Sequence, residues 1–143
     1  MTKNKICYVC LTKPFKDLLQ DFADNRIDSS FFFFVDVLSS HYGLPDPCSN
    51  CIFVDSPQNL EGIADAIAQA VERENCNLIV IDTISNLLLY QEGFPLLRFA
   101  HQLGEKDIVK LFLALKHDSV PAKENLELIN DLRMLADQTI DLG

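Results

Sequence analysis

The sequence predicts an α/β fold with three layers: a mostly parallel sheet of five or six strands with helices on both faces. Short apolar runs rich in β-branched or aromatic residues alternate along the chain with segments of helical periodicity, which is the pattern of βαβ units. Two of these runs, FFFFVDV at 31–37 and LIVID at 78–82, show almost no polar alternation. Parallel strands that are covered on both faces have this character.

The first half of the chain contains three predicted strands and two predicted helices. The strands lie at 5–12, 31–37 and 51–54. Pro14 begins a helix whose apolar residues recur at i, i+3, i+4 and i+7, as on one face of an amphipathic helix. Residues 38–50 carry Gly43, Pro45, Pro47 and several polar residues, so they predict a loop. Ser56 is the expected N-cap of the second helix, whose apolar face begins at Leu60.

The second half repeats the alternation of strand and helix. Strands are predicted at 78–82, 109–116 and 139–142, and helices at 95–104 and 121–137. The segment 83–90 between strand and helix is apolar enough to be partly buried. We expect the strand 78–82 to lie between the strands 5–12 and 109–116, because these three runs have the most continuous apolar character.

Composition and charge limit the classes of function. The chain has 143 residues, of which 48% are hydrophobic and 23% charged, in keeping with one globular domain over 1–143. Its net charge is −9, and the basic residues are scattered, so we expect no nucleic-acid partner. No uncharged stretch exceeds nine residues and the amino terminus lacks an apolar signal core, so we expect a cytoplasmic protein without membrane association.

Polar side chains follow the predicted strands at their carboxyl ends, where ligands bind in open parallel sheets. These residues are Thr12, Lys13, Asp36, Asp55, Ser56, Asp82, Thr83, His117 and Asp118. Carboxylates beside a lysine are suited to Mg²⁺, and the candidate ligands are Asp36, Asp55 and Asp82. The simpler interpretation is that aspartates at strand ends cap the turns and helices that follow.

Four of the five cysteines form two C-x-x-C spacings, which raises the possibility of a zinc or redox site. Cys7 and Cys10 lie inside one predicted strand at an odd separation, so their side chains point to opposite faces and belong to the core. Cys48 and Cys51 lie in a turn-like segment, where a local disulfide or a metal site shared with a partner remains open. A redox C-x-x-C usually begins a helix, whereas this one leads into a strand.

The usual sequence signatures of hydrolases and phosphate-binding loops are absent. No G-x-S-x-G surrounds a serine, and glycine occurs only at positions 43, 62, 93, 104 and 143. Neither G-x-G-x-x-G nor G-x-x-x-x-G-K is therefore present.

One segment carries a family resemblance. The segment LIVIDTISNLLLYQ at 78–91 resembles the Walker B region of RecA/KaiC-class ATPases, in which an apolar strand ends in an aspartate followed by a hydroxyl residue. Asp82 matches that aspartate. In the same order as in this class, the chain also carries CYVCLTKPFKDLL, CIFVDSPQNL, LRFAHQLGEK and ADQTIDL, and it is similar to uncharacterised archaeal KaiC-like proteins.

The chain departs from the ATP-hydrolysing members at two places. Those members carry a Walker A loop on a strand and helix upstream of the segment that matches 5–12, and only residues 1–4 precede that strand here. They also tend to carry carboxylates after it, where this chain has Thr12, Lys13 and Pro14. The resemblance implies a RecA/KaiC-like core without the P-loop strand that has lost ATP hydrolysis.

Two functions follow as expectations. The first is a non-catalytic module acting in protein association or regulation, either as a homo-oligomer or with a P-loop-containing partner, with no bound cofactor and no enzymatic activity. The alternative is a nucleotide- or Mg²⁺-binding protein or enzyme that uses the strand ends. In that case Lys13, Asp82 and Thr83 would contact the nucleotide, and Asp36, Asp55 and Asp82 the metal.

Overall fold

Five parallel strands form the centre of the computed structural model, which describes residues 4–42, 48–105, 107–114 and 122–142. They are β1 (Ile6–Cys10), β2 (Phe32–Asp36), β3 (Cys51–Phe53), β4 (Leu78–Asp82) and β5 (Val109–Leu113). Their order across the sheet is β3-β2-β1-β4-β5, and every neighbouring pair is parallel. The predicted α/β class is confirmed, and so is the position of the strand 78–82 between the first and the fifth strand.

Four helices cover the two faces of this sheet in the described part of the chain. They are α1 (Phe15–Asp24), α2 (Leu60–Arg73), α3 (Gly93–Gly104) and α4 (Ala122–Leu135), with short 3₁₀ turns at 29–31, 39–42 and 84–89. Helix α1 packs on one face through Phe15, Leu18 and Phe22. The other three helices contribute to a larger core on the opposite face. The predicted three-layer arrangement is therefore present.

The alternation of side chains along the central strands divides the core in two. In β1, Cys7 and Val9 belong to the larger core and Cys10 to the smaller core beneath α1. The predicted placement of Cys7 and Cys10 on opposite faces is confirmed. Aromatic rings fill the smaller core, where Phe34 is fully buried and its ring centroid lies 4.9 Å from that of Phe15. Edge and tilted contacts of this kind add specific stabilisation to the buried area.

The start of α2 differs from the prediction that Ser56 is its N-cap. The helix begins at Leu60, and the side chain of Asn59 accepts a hydrogen bond from the Gly62 N–H at 2.8 Å. The hydroxyl oxygen of Ser56 instead accepts from the Gln58 N–H at 3.0 Å, within the turn before the helix. Serine and asparagine both cap helices. Asn59 is the N-cap here because it directly precedes Leu60, the first residue of the apolar face.

The prediction of a sixth strand at 139–142 is wrong. These residues have no regular secondary structure, and the side chains of Ile140 and Leu142 are 71% and 94% exposed. A segment of four residues becomes a strand only where a neighbouring strand accepts its backbone hydrogen bonds, and no strand of the described residues does so. The predicted end of the fifth strand at 115–116 lies outside the described residues.

The α1 face of the sheet is incompletely covered at β5. Leu111 pairs with Val80, and Val80 pairs with Tyr8, so these side chains share the face on which α1 lies. Helix α1 packs over β1, β2 and β3, while Val109 and Leu111 remain 69% and 47% exposed. The term β5 surface is used below for two adjoining features of this strand. One is the face formed by Val109, Leu111 and Leu113, and the other is the outer backbone edge of β5. None of the described strands pairs with that edge.

None of the helices in the described ranges has the length and apolar character needed to span a membrane.

Candidate functional site at the strand ends

Asp82, the aspartate that resembles the Walker B residue, is tied to β1. The hydroxyl of Tyr8 donates a hydrogen bond to Oδ2 of Asp82. The hydroxyl of Thr12 donates to the Asp82 carbonyl oxygen at 3.0 Å and lies 3.4 Å from Oδ1. The Leu11 N–H donates to the same carbonyl at 2.9 Å. Asp82 therefore holds the ends of β1 and β4 together and does not cap the turn that follows it.

The tyrosine that contacts Asp82 remains a proton donor. Burial raises the pKa of the Tyr8 hydroxyl well above its ordinary value, and the hydrogen bond to Asp82 raises it further. A tyrosine inside a strand gave no signal in the sequence analysis. Its position two residues before Cys10 places Tyr8 on the same face of β1 as Cys10, and the pairing of β1 with β4 brings it to Asp82.

A shallow hollow of about 20 Å³ lies beside Asp82. Its lining residues are Tyr8, Cys10, Thr12, Lys13, Leu18 and Asp82. Pockets that bury small ligands usually enclose about 300 Å³ or more. The hollow is therefore smaller than a site that would bury a nucleotide.

Lys13 borders this hollow but is paired with a residue of α1. Its ammonium group forms an ion pair with the carboxylate of Asp21, and the hydrogen bond to Asp21 raises the pKa of Lys13. The pair is exposed to solvent, where such contacts are weak. Among the described residues, Lys13 is the one cation that lines the hollow.

Thr83 points away from the hollow into the protein. It is 6% exposed, and its hydroxyl donates to Oδ1 of Asn86 at 2.7 Å. The side-chain amide of Asn86 in turn donates to the Leu11 carbonyl at 3.2 Å. The predicted nucleotide contact at Thr83 has, in this structure, a partner within its own 3₁₀ turn.

Asp36 is a buried cap. Its carboxylate accepts hydrogen bonds from the N–H groups of Phe15 at 2.8 Å, Leu38 at 2.7 Å and Ser39 at 2.9 Å, and from the Ser39 hydroxyl. It is fully buried. The carboxylate thus fixes the first residue of α1 and the turn after β2 at once, which is the capping role considered in the sequence analysis.

Asp55 follows β3 at the far side of the sheet. It is exposed and accepts a hydrogen bond from the side-chain amide of Asn59 at 2.9 Å, and so it orients the residue that caps α2. Asp36 and Asp82 lie on either side of Cys10 in the strand register. Each of the three aspartates has its own hydrogen-bond partners, and the described residues contain no group of three or more His, Cys, Asp or Glu side chains that would hold a metal ion. The magnesium site stays a prediction, and His117 and Asp118 lie outside the described residues.

The cysteines are free thiols in the described part of the chain, and four of the five are buried. Burial raises the pKa of Cys7, Cys10 and Cys51, and it raises the pKa of Cys76 to about 11. The exposed Cys48 donates a hydrogen bond to Oδ1 of Asn50 at 2.9 Å. A reactive thiolate needs a lowered pKa, which none of the buried cysteines has.

Fold and site together define a parallel α/β protein in which a Walker B-like aspartate ends a central strand. Among solved structures, the chain is similar to a KaiC-like protein of the hyperthermophilic archaeon Pyrococcus horikoshii OT3, with a TM-score of 0.61 and 20% sequence identity over 87% of this chain. The fold is accordingly KaiC/RecA-like. The match covers 56% of that protein, so this chain spans little more than half of its length. No protein-family model and no curated protein matches the sequence.

Proposed function

We propose that the chain is a non-catalytic KaiC-like module that works by self-association through the β5 surface. The observation that carries this proposal is the exposure of Val109 and Leu111 on a strand of a parallel sheet. Parallel sheets occur almost only with both faces covered, because their strands are apolar on both sides. Here one face of β5 is open to water.

The edge of β5 supports the same conclusion. Residues 109–113 pair with β4 on one side, and none of the described strands pairs with the other. A free edge offers unpaired N–H and C=O groups, and proteins usually protect such edges with charges, proline or a covering segment. The sequence VKLFL has one charge and no proline. Burying a valine or leucine side chain fully is worth about 1.5–3 kcal/mol, so covering this surface favours association.

The strand ends support the absence of ATP hydrolysis. The Asp82 carboxylate accepts hydrogen bonds from β1, and the ammonium group of Lys13 is paired with Asp21. Phosphoryl transfer requires a cradle of backbone N–H groups, a lysine and metal ions around the phosphates. No glycine-rich loop in the sequence supplies such a cradle.

A P-loop-containing partner is the second candidate, and sheet topology favours it. The connection from β1 to β2 places α1 on one face, whereas the connections toward β5 place α2 and α3 on the other, as right-handed crossovers require. A helix that covers β5 on the α1 face fits a strand–helix unit whose strand pairs with the outer edge of β5. A partner of this kind is a different protein, whereas self-association needs only this chain.

Sedimentation velocity tests the self-association. We expect the wild-type chain to shift from monomer to a larger species between low micromolar and several hundred micromolar concentration. Leu111→Asp should remain a monomer because a carboxylate would be buried in the interface. Ile27→Asp is the matched control, since Ile27 is 44% exposed and lies after α1, away from β5. Association that is equal in wild type and Leu111→Asp would contradict the proposal.

A further inference from the structure

We propose that Cys48 and Cys51 form a site of reversible oxidation, at which a low-molecular-weight disulfide such as glutathione disulfide joins the two thiols within one chain. The site lies at the beginning of β3, on the edge of the sheet opposite to β5, and it does not depend on the proposed association. Two features of this pair carry the inference. The backbone holds the two residues opposite each other, and one thiol is exposed while the other is buried.

The backbone brings the two cysteines to the spacing that a disulfide needs. Cys48 and Cys51 are partners in an antiparallel bridge, with the turn residues Ser49 and Asn50 between them. Directly opposed residues of antiparallel strands have Cα atoms about 4.5–5.5 Å apart and side chains on the same face. Disulfides join residues whose Cα atoms are about 4.4–6.8 Å apart. Rotation of the two side chains is therefore the main movement that the bond requires.

The contacts that hold this turn survive oxidation. The Asn50 carbonyl accepts a hydrogen bond from the Phe34 N–H at 2.9 Å, and the residues from Cys51 onward pair with β2. These contacts belong to the backbone. Oxidation removes only the hydrogen bonds that the thiols donate, from Cys48 to Oδ1 of Asn50 at 2.9 Å and from Cys51 to the Ile52 carbonyl at 3.7 Å. Thiols are weak donors, so the loss of these two contacts does not prevent the reaction.

The difference in exposure sets the order of the steps. Cys48 is exposed, whereas Cys51 is 6% exposed, so a small disulfide in solution reaches Cys48 first. The Cys48 thiolate attacks one sulfur of the small disulfide, whose S–S bond breaks, and one small thiol leaves. Cys51 then loses its proton and attacks the Cys48 sulfur, which releases the second small thiol. Two protein thiols are thus oxidised to one disulfide, and the small disulfide is reduced to two thiols.

The surroundings of Cys51 make the second step the slower one. Burial raises the pKa of the Cys51 thiol, and the neighbouring Asp36 and Cys48 raise it further. Few Cys51 side chains are therefore thiolates at neutral pH, and the thiolate is the attacking species. We expect the mixed disulfide on Cys48 to accumulate before the bond to Cys51 forms.

A disulfide fits this pair better than a metal ion does. Structural zinc sites take four ligands. In the described ranges of the chain, Cys48 and Cys51 belong to no group of three or more His, Cys, Asp or Glu side chains that would hold a metal ion. The pair also leads into a strand and not into a helix, so the inference concerns a modified site and not an oxidoreductase.

Mass spectrometry of the native chain incubated with glutathione disulfide tests the inference. Trypsin cleaves after Arg26 and Arg73, and the peptide 27–73 contains Cys48 and Cys51 and no other cysteine. After free thiols are blocked with iodoacetamide, we expect this peptide to appear first with one glutathione attached. It should then appear without glutathione or alkyl groups and lighter than the reduced peptide by two hydrogen atoms. Reduced glutathione should reverse both changes.

Variants of single cysteines identify the two roles. Cys51→Ser should stop at the stage with one glutathione attached, because the second thiol is missing. Cys48→Ser should react about tenfold or more slowly than wild type, because the thiol that remains is buried. Cys76→Ala is the matched control, since Cys76 is also buried but lies outside the peptide 27–73, and its oxidation should follow that of wild type. The wild-type peptide decides the inference if a variant fails to fold.

Three results would overturn the inference. The first is a wild-type peptide 27–73 that stays reduced or keeps glutathione on Cys48 without closing. The second is a disulfide between two chains, seen as a dimer on a non-reducing gel that is lost in Cys48→Ser. The third is zinc that remains bound to the purified chain and prevents the oxidation.

Discussion

The hydroxyl of Tyr8 donates a hydrogen bond to the carboxylate of Asp82, and this contact joins two neighbouring strands at their carboxyl ends. The aspartate that resembles a metal-binding Walker B residue thus has a partner in its own sheet. The pKa of Tyr8 is raised by burial and by Asp82, so the hydroxyl keeps its proton near neutral pH. The contact is a structural feature of the sheet.

Removing the hydrogen bond between Tyr8 and Asp82 should lower the free energy of unfolding only slightly. We expect Tyr8→Phe and Asp82→Asn each to lower the free energy of unfolding by about 0.5–2 kcal/mol, the range of a single hydrogen bond or cap. Neither change should alter the oligomeric state, because both residues lie away from the outer edge of β5. Urea unfolding and sedimentation of the two single variants and the double variant measure this. A loss of more than about 3 kcal/mol for Asp82→Asn would show that Asp82 anchors a larger buried network.

Asp36 should contribute far more to the free energy of unfolding than Asp55, which follows β3. Its fully buried carboxylate accepts hydrogen bonds from three backbone N–H groups and one hydroxyl. Asp36→Ala leaves these donors without an acceptor, so we expect a loss of about 3 kcal/mol or more in urea unfolding. The exposed Asp55, changed to alanine, is the control and should cost about 1 kcal/mol or less. Equal losses for the two variants would refute the capping role of Asp36.

Stability should decline at alkaline pH because of the buried thiols. The folded-state pKa of Cys7, Cys10, Cys51 and Cys76 is raised above the ordinary value of 9.0, chiefly by burial. Above pH 9.0 the unfolded chain therefore releases protons that the folded chain retains. The stabilisation is fully present below that pH and falls by up to about 1.4 kcal/mol per pH unit for each such thiol.

Urea unfolding in reducing buffer across neutral to alkaline pH measures this decline. Cys76 ceases to contribute to the slope near pH 11, where its own folded-state pKa lies. A Cys76→Ala variant should accordingly show a shallower loss between pH 9.0 and 11. A free energy of unfolding that stays constant throughout the range would count against the burial of these thiols.

ATP should not bind to the isolated chain with useful affinity. The hollow beside Asp82 is small, its cation is paired with Asp21, and Asp82 adds negative charge that repels phosphate. We expect no binding tighter than about 1 mM, or about −4.1 kcal/mol. Calorimetric titration with ATP, ADP and GTP at millimolar Mg²⁺ measures this, with Mg²⁺ alone as the blank. Saturable binding in the micromolar range, lost in Asp82→Asn, would favour the alternative of a nucleotide-binding protein.

The apolar strands could be predicted from the sequence because each is a continuous run whose character depends on burial alone. The runs predicted at 78–82 and 31–37 contain β4 and β2, and the odd spacing of Cys7 and Cys10 correctly placed them on opposite faces. The prediction of a strand at 139–142 was wrong because a short alternating segment indicates only a preference for extended backbone. Its neighbour in the sheet is a property of the assembled fold.

The candidate site was harder to predict, since its contacts join residues far apart in sequence. Asp36 was considered both as a cap and as a metal ligand, and only the approach of the Phe15 N–H identifies its hydrogen-bond partner across 21 residues. Tyr8 was missed because pairing of β1 with β4 is needed to bring it to Asp82, 74 residues away. The β5 surface was missed for a similar reason: whether Leu111 is covered depends on which helices lie on each face of the sheet.

Hydrogen–deuterium exchange at two protein concentrations tests the proposed association most directly. At high concentration, amides of β5 at 109–113 should exchange more slowly than at low concentration, because their outer edge becomes covered. Amides of β3 at 51–53, on the opposite edge of the sheet, should exchange at the same rate in both. Association detected by sedimentation with unchanged exchange at β5, or with slowed exchange at β3 alone, would contradict association through the β5 surface.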